Sequence, residues 1–394
     1  MTVVGDSMAP TIHGEHLQST CQQCNRTFRH SFSQVPKSGR LVCPWCGLDR
    51  VDANLAETVA GDQVVIDSVE TNNLKRGALV AFNNRATGEP SVKRILGLPS
   101  EAIRFQNGNL YVDEQLVRRA GSQTSNPWPL IRVWNFGPDE SFGIRQRFKV
   151  ENSNSSWEIG DRITGSRPSD RGSLDAEQTD WIAYRHTRCY RLGHAQQPTG
   201  PLDDFYGHNQ NLARTPRELS EFQVRLKLQI DPDSQWVFAV HDGNQQHLIE
   251  FATPQSGRLE WNYGNQSDRI SLDSTNPAAI DFTIGTLDDQ LTLQLNHKVI
   301  LNLQFDYRAP TSVTDEFFKI GLVRGAVTLQ SFDLYRDMYF YSEGKQQWKL
   351  GQDEYFVLGD NLPDSSDSRQ WPQSSVTTGD IIGQVSGKNG HETR

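Results

Sequence analysis

The stretch FQVRLKLQI, residues 222–230, limits the possible folds more than any other. Phe222, Val224, Leu226, Leu228 and Ile230 alternate with polar residues without a break. A period of two puts all of these apolar side chains on one face of an extended strand, so the strand must lie against a second layer. The runs WVFAV, HLIEF, LEWNY, LTLQLNHKVILNLQF (turning at Asn296-His297) and VTLQSFDLYRD continue the pattern within residues 219–336. Short alternating strands at this spacing predict a β-sandwich at about 219–336.

Residues 47–120 carry shorter runs of the same kind. Gly61-Asp62 precedes QVVIDSV, KRGALVAF and SVKRILGLP follow, and Gly108-Asn109 precedes LYVDEQLV. Turn residues between β-type runs predict a small, mostly antiparallel β domain. From 121 to 215 the chain turns to Ser, Asn, Pro, Asp and Gly, with Trp157 and Trp181 as expected anchors. Residues 339–387 return to strands and loops. The expected fold class is mainly β.

Four of the five cysteines crowd into residues 21–46. Cys21-x-x-Cys24 and Cys43-x-x-Cys46 are separated by 18 residues, the spacing of a zinc ribbon. Each Cys-x-x-Cys turn can aim two sulfurs at one ion, and a site with four thiolates is closed and structural. Two disulfides, or paired free thiols, are the alternatives. Cys189 reads as a small buried hydrophobe.

At 394 residues the chain has room for two or three domains with cores of their own. With 39 basic against 48 acidic residues and a net charge of −9, it has no basic stripe for a phosphate backbone, so nucleic acid is not an expected partner. No apolar run reaches about 18 residues, and the start lacks a secretory-signal layout. Taken literally, this is a soluble, uncleaved chain.

Near its start stands GDSMAPTI, residues 5–12. Gly5 permits unusual backbone geometry and Pro10 fixes the exit of the turn, which could display Ser7 as a nucleophile or be an ordinary loop. A nucleophilic serine needs a base. No histidine stands in a triad-like setting, and Pro10 three residues on rules out a Ser-x-x-Lys arrangement. A buried lysine is the remaining route, because apolar surroundings disfavour the ammonium. Lys93 in SVKRILGLP, near Val92, Ile95 and Leu96, is the candidate. A solvated strand lysine beside Arg94 is the plainer reading.

Together these pieces resemble bacterial type I signal peptidases. GDSMAPT is similar to their nucleophile box, SVKRILGLPSE to the box of their general-base lysine, and GDNLPDSSDSR to their C-terminal box. GDQVVIDSV and KRGALVAF fall between in the family's order. The resemblance implies a signal-peptidase-like β core at 1–13, 47–120 and 339–394. A zinc-ribbon-like insertion would occupy 14–46, and an inserted region at 121–338 would hold a sandwich similar to concanavalin-like or laminin-G-like jelly rolls.

The same resemblance implies that Ser7 is the nucleophile and Lys93 the neutral general base. Ser365 would hydrogen-bond and orient the lysine amine, while Asp360 or Asp367 with Arg94 and Arg369 would form ion pairs around the site. The backbone N–H of Ser7 would serve an oxyanion hole, a contribution of about 3–4 kcal/mol. Gly5 stands where some members carry a second, hydroxyl donor. Met8 and Pro10, with strand residues around 64–66 and 80–82, would line shallow pockets for small-x-small signal-peptide ends. Leu362-Pro363, where many members carry charge, would loosen the ion pairs.

The implied partners are preprotein signal peptides and a membrane surface, with the catalytic part on the extracytoplasmic side of the cell membrane. No catalytic cofactor is implied, and zinc would be structural. Family members place membrane-spanning helices before the nucleophile box, whereas six residues precede Ser7. That leaves a misplaced start, an anchor in another chain, or a soluble paralogue. Two other functions are open: a non-catalytic protein whose sandwich and ribbon dock glycan or protein, and a self-cleaving repressor. The repressor would need a DNA-binding helical domain and a cleavable linker, and neither is visible.

Overall fold

The computed structural model describes residues 1–85, 87–119, 127–138, 142–168, 179–192, 195–196, 199–253, 258–271, 279–305 and 310–389. The edges of the expected core at 120 and 390–394 therefore lie outside the described residues. The chain is mainly β, as expected, and among the described residues its one α-helix is the single turn Ile144–Arg147.

A six-stranded antiparallel sheet draws from both ends of the sequence. Its order is Val376–Thr377, Glu354–Leu358, Pro90–Gly97, Leu79–Asn83, Ile381–Asn389 and Gln63–Asp67. Pro90–Gly97 lies between two partners and is buried from Val92 to Gly97. That position carries Lys93 and Arg94 into the interior, where they are 4% and 8% exposed. Beside it a small sheet of Ala102–Gln106, Asn109–Val112, Gln115–Leu116 and Gln347–Lys349 packs through Phe105 and Trp348 onto Phe356.

Residues 131–336 form a two-layered sandwich. Its spine is the 19-residue strand Phe318–Arg336, which belongs to both layers. Up to Arg324 it pairs with Asp180–Tyr184 and Gln235–His241. Beyond Gly325 it pairs with Ile131–Phe136, Ile163–Arg167 and Phe222–Ile230. Gly325 has φ +82°, and a β-carbon there would run into Ser234, so glycine is required where the strand passes from one layer to the other. Between the layers Phe238 meets Phe282 edge-on at 5.2 Å. The alternation of FQVRLKLQI is realised as read, with its apolar residues buried. Strands from 131–184, a region whose composition announced only loops and two tryptophan anchors, complete the same sandwich.

The four-cysteine segment has two small sheets: Thr27–His30, His16–Thr20 and Glu57–Val59, and the pair Arg40–Leu41 with Val51–Asp52. Both sheets take a strand from beyond residue 46, so this unit runs past the expected boundary.

Candidate active site

The GDSMAPTI segment packs on the six-stranded sheet through Met8 and Ile12, which join Val3, Val64, Ala81 and Val92 in one apolar cluster. This packing brings the segment's serine beside the central strand. Lys93 Nζ donates to Ser7 Oγ at 2.5 Å across 86 residues of sequence. Burial pushes Lys93 down to about 8, with Asp367 and Asp360 pulling it back up and Arg369 reinforcing the drop. The solvated reading of Lys93 is thereby excluded.

The expected ion pairs are both closed. Arg94 forks onto Asp360 at 2.7 and 2.6 Å, and Arg369 onto Asp367 at 2.8 and 2.9 Å. Leu362-Pro363 does not loosen them, because Arg369 Nη2 donates to the Leu362 carbonyl at 2.8 Å. Gly359 N donates to Asp367 at 3.2 Å. A β-carbon at Gly359 would collide with the Ser7 carbonyl and with Ser365 Oγ, so glycine permits this close approach.

Two expectations need correction. Ser365 Oγ is buried and makes no hydrogen bond, so it does not bond the lysine amine; its hydroxyl packs against Gly359 instead. Met8 is 1% exposed and belongs to the core cluster rather than to an open pocket. Pro10 does line a cavity of about 450 Å³, between the cysteine unit and the sandwich, together with His13, Arg29, Trp45 and His208.

Several residues around Ser7 were not singled out in the sequence. Asn361 N donates to the Ser7 carbonyl at 3.0 Å and its side-chain amide to the Asp6 carbonyl at 3.2 Å. Asn209 pairs with that same amide, and Tyr206 OH donates to the Asp360 carbonyl at 2.9 Å. Ser31 Oγ donates to the Asp6 carboxylate, and His208 Nε2 lies 3.1 Å from it. Burial raises the Asp6 carboxyl, but His208 and the Ser31 hydroxyl hold it below its ordinary value. The one available signal was the polar run YGHNQN at 206–211, set in a stretch that offered no pattern.

The four cysteines converge. Their sulfurs all lie within 4.8 Å of one another, and none is disulfide-bonded. Cys21 and Cys46 stand 3.6 Å apart, as do Cys24 and Cys43. A tetrahedral zinc with Zn–S of about 2.3 Å spaces its sulfurs about 3.8 Å apart, so the donor set fits that ion. The two turns match: Asn25 N bonds Cys21 O, and Gly47 N bonds Cys43 O, each residue at positive φ.

A profile of the signal peptidase, peptidase S26 family matches residues 44–156 and 327–388. The resemblance to type I signal peptidases holds. The match covers Lys93, both ion pairs and Ser365, and Ser7 lies ahead of it. Signal peptidase I U of Bacillus subtilis is 24% identical over 140 residues, which is 34% of this chain and 70% of that protein. Solved structures similar to the chain include a β-glucanase of Bacillus licheniformis (7% identity, 48% of this chain and 92% of that one, TM-score 0.30). Another is a laminarinase catalytic domain of Thermotoga maritima (9% identity, 54% and 99%, TM-score 0.33). Scores of this size carry no weight for function. No helix among the described residues is long and apolar enough to cross a membrane.

Proposed function

We propose that the chain is a serine endopeptidase of the signal peptidase I type, cutting signal peptides from exported preproteins with Ser7 and Lys93. The observation that carries this reading is the 2.5 Å contact between Lys93 Nζ and Ser7 Oγ, in a setting that lowers the lysine to about 8. A neutral Lys93 takes the Ser7 proton as Oγ attacks the scissile carbonyl. The backbone N–H of Ser7 would face the developing oxyanion, and the bond from the Asn361 side-chain amide to the Asp6 carbonyl steadies that peptide. Lys93 returns the proton to the leaving amine, then activates the water that opens the acyl-enzyme.

The membrane surface remains the proposed working place, on the extracytoplasmic side. Exposed apolar side chains favour it: Met1 and Val4 on the nucleophile segment, and Val65 and Ile382 on the paired strands Gln63–Asp67 and Ile381–Asn389. Structural zinc is assigned to Cys21, Cys24, Cys43 and Cys46. In this reading the core is interrupted by a ribbon insertion that runs from 14 to Val59 and by a sandwich insertion that ends near 338.

The test is cleavage of a preprotein in detergent or lipid by the full chain, Ser7→Ala and Lys93→Ala. Cutting after a small-x-small site by the parent, lost in both folded variants, supports the reading. A parent that stays silent even when joined to an N-terminal membrane anchor overturns it and favours a docking protein.

A further inference from the structure

Three buried imidazoles gather beside the nucleophile segment, and the peptidase reading uses none of them. His13, His16 and His208 are 6%, 1% and 6% exposed. Their ring centres stand 5.1 Å (His13 to His16), 5.5 Å (His13 to His208) and 6.5 Å (His16 to His208) apart. Asp6 completes the group, with its carboxylate 3.1 Å from His208 Nε2. The four side chains come from four places: the nucleophile turn, the segment leaving it, the first strand of the cysteine unit and the loop after the sandwich's first strands.

The nitrogens are arranged in the manner of ligands. His16 Nδ1 lies 2.7 Å from the Gly14 carbonyl, which places the proton on Nδ1 and leaves Nε2 a lone pair. That Nε2 is buried with no hydrogen-bond partner, as are His13 Nδ1, both ring nitrogens of His208 and Asp6 Oδ1. His16 thus shows the pattern of a metal-bound histidine, with one nitrogen engaged by a carbonyl and the other free for an ion. Buried polar atoms left without partners are costly and call for an explanation.

We propose that His13, His16 and His208, with Asp6, form a second metal site, separate from the four cysteines, for a divalent transition ion of the zinc, cobalt or nickel class. Imidazole and carboxylate donors suit these ions. Imidazoles sharing one tetrahedral zinc, with Zn–N of about 2.0–2.1 Å, hold their ring centres about 5 Å apart, close to two of the three spacings. Among the described residues only the cysteine sulfurs are already drawn within 4.8 Å of one another, so an ion would have to draw the histidine donors closer together. An ion there would tie the Asp6–Ser7 turn to the cysteine unit and to the 203–210 loop. The site does not depend on the peptidase reading.

The test is metal content of the full chain given one equivalent of zinc, which the four cysteines take, and then titrated with cobalt. Two equivalents are expected. The second, as cobalt, should give weak visible bands of nitrogen and oxygen ligation without thiolate charge-transfer absorption. The double variant H16Q/H208Q should keep one equivalent, and that retained ribbon ion reports that it has folded. A wild-type chain that stops at one equivalent overturns the site, as does a second equivalent that survives in H16Q/H208Q. If the double variant loses both ions by misfolding, the wild-type cobalt spectrum decides: thiolate bands or no added signal overturn the proposal.

Discussion

Asn209 and Asn361 exchange two amide hydrogen bonds, 2.7 and 3.1 Å long, in a fully buried setting. Asn361 also holds the backbone of Asp6 and Ser7, so a residue from the inserted region braces the nucleophile through one intermediary. Asn209→Ala leaves the Asn361 amide half-satisfied and free to turn. Losing such bonds costs on the order of 1–3 kcal/mol. Because the bonds position Ser7 and do not touch substrate, kcat should fall about tenfold while KM changes little. A change confined to KM would show that Asn209 shapes the binding surface instead.

In the proposed mechanism Lys93 sets the pH dependence. With its ammonium lost at about 8, the competent neutral fraction grows as pH rises, and kcat/KM should climb through an inflection near 8 and then level. Asp360 raises Lys93, so Asp360→Asn should move that inflection to lower pH. A profile that is flat from pH 6 to 9 contradicts a lysine base.

The same burial makes Lys93 a liability for stability. Its folded pKa of about 8 lies below the ordinary 10.5, so between those values the unfolded chain binds more protons and stability rises with pH. Below about pH 8 the whole cost is present, on the order of 3 kcal/mol. Lys93→Met removes the charge at similar volume. Urea unfolding at pH 7 should show the variant more stable by about 1–3 kcal/mol and inactive, with the gain shrinking toward pH 10. A variant less stable than the parent at pH 7 would mean that packing outweighs desolvation at this position.

The Arg94–Asp360 fork is buried on both sides. Breaking one partner of a buried pair leaves an uncompensated charge, at a cost of about 3–5 kcal/mol. Arg94→Ala should therefore lower the urea midpoint strongly, and Arg94→Lys should recover only part of it, because an ammonium cannot reproduce the two-pronged contact. Full recovery by lysine would reduce the pair to simple charge balance.

How much of this was legible in the sequence depended on distance along the chain. Alternation in FQVRLKLQI and the two Cys-x-x-Cys turns are local patterns, and each took the predicted form. The strands Ile131–Phe136, Ile163–Arg167 and Asp180–Tyr184 are short runs among turn residues. They become strands by pairing with Phe318–Arg336, a partner 134 to 205 residues away. Ser7 and Lys93 could be paired because their boxes resemble a family's. Tyr206, His208 and Asn209 touch the site from an insertion that the resemblance does not cover. Ser365 shows the limit of position alone: it lies next to Gly359 beside the nucleophile, yet its hydroxyl bonds nothing.

The cysteine unit should matter to a reaction in which it takes no part. Ser31 reaches from it to the Asp6 carboxylate through its hydroxyl and to the His208 carbonyl through its N–H at 3.2 Å. Zinc binding by closed thiolate sites is folding energy for small units of this kind. The variant C43S/C46S removes two of the four ligands, should lose the ribbon's zinc equivalent, and should free Ser31 and the Asp6–Ser7 turn. Misplacement of the nucleophile by even part of an ångström is costly, and cleavage should fall between about tenfold and a hundredfold. Chelation is a poorer test, since it would also strip an ion held by histidines. The discriminating comparison is Ser31→Ala, which cuts the strap and leaves the thiolates alone. If both variants slow cleavage by similar factors while Ser31→Ala keeps its ribbon metal, the ribbon acts through Ser31. If C43S/C46S cleaves at the parent rate, the ribbon is a passive insertion and the Asp6–Ser7 turn is held by Asn361 and by the packing of Met8 and Ile12.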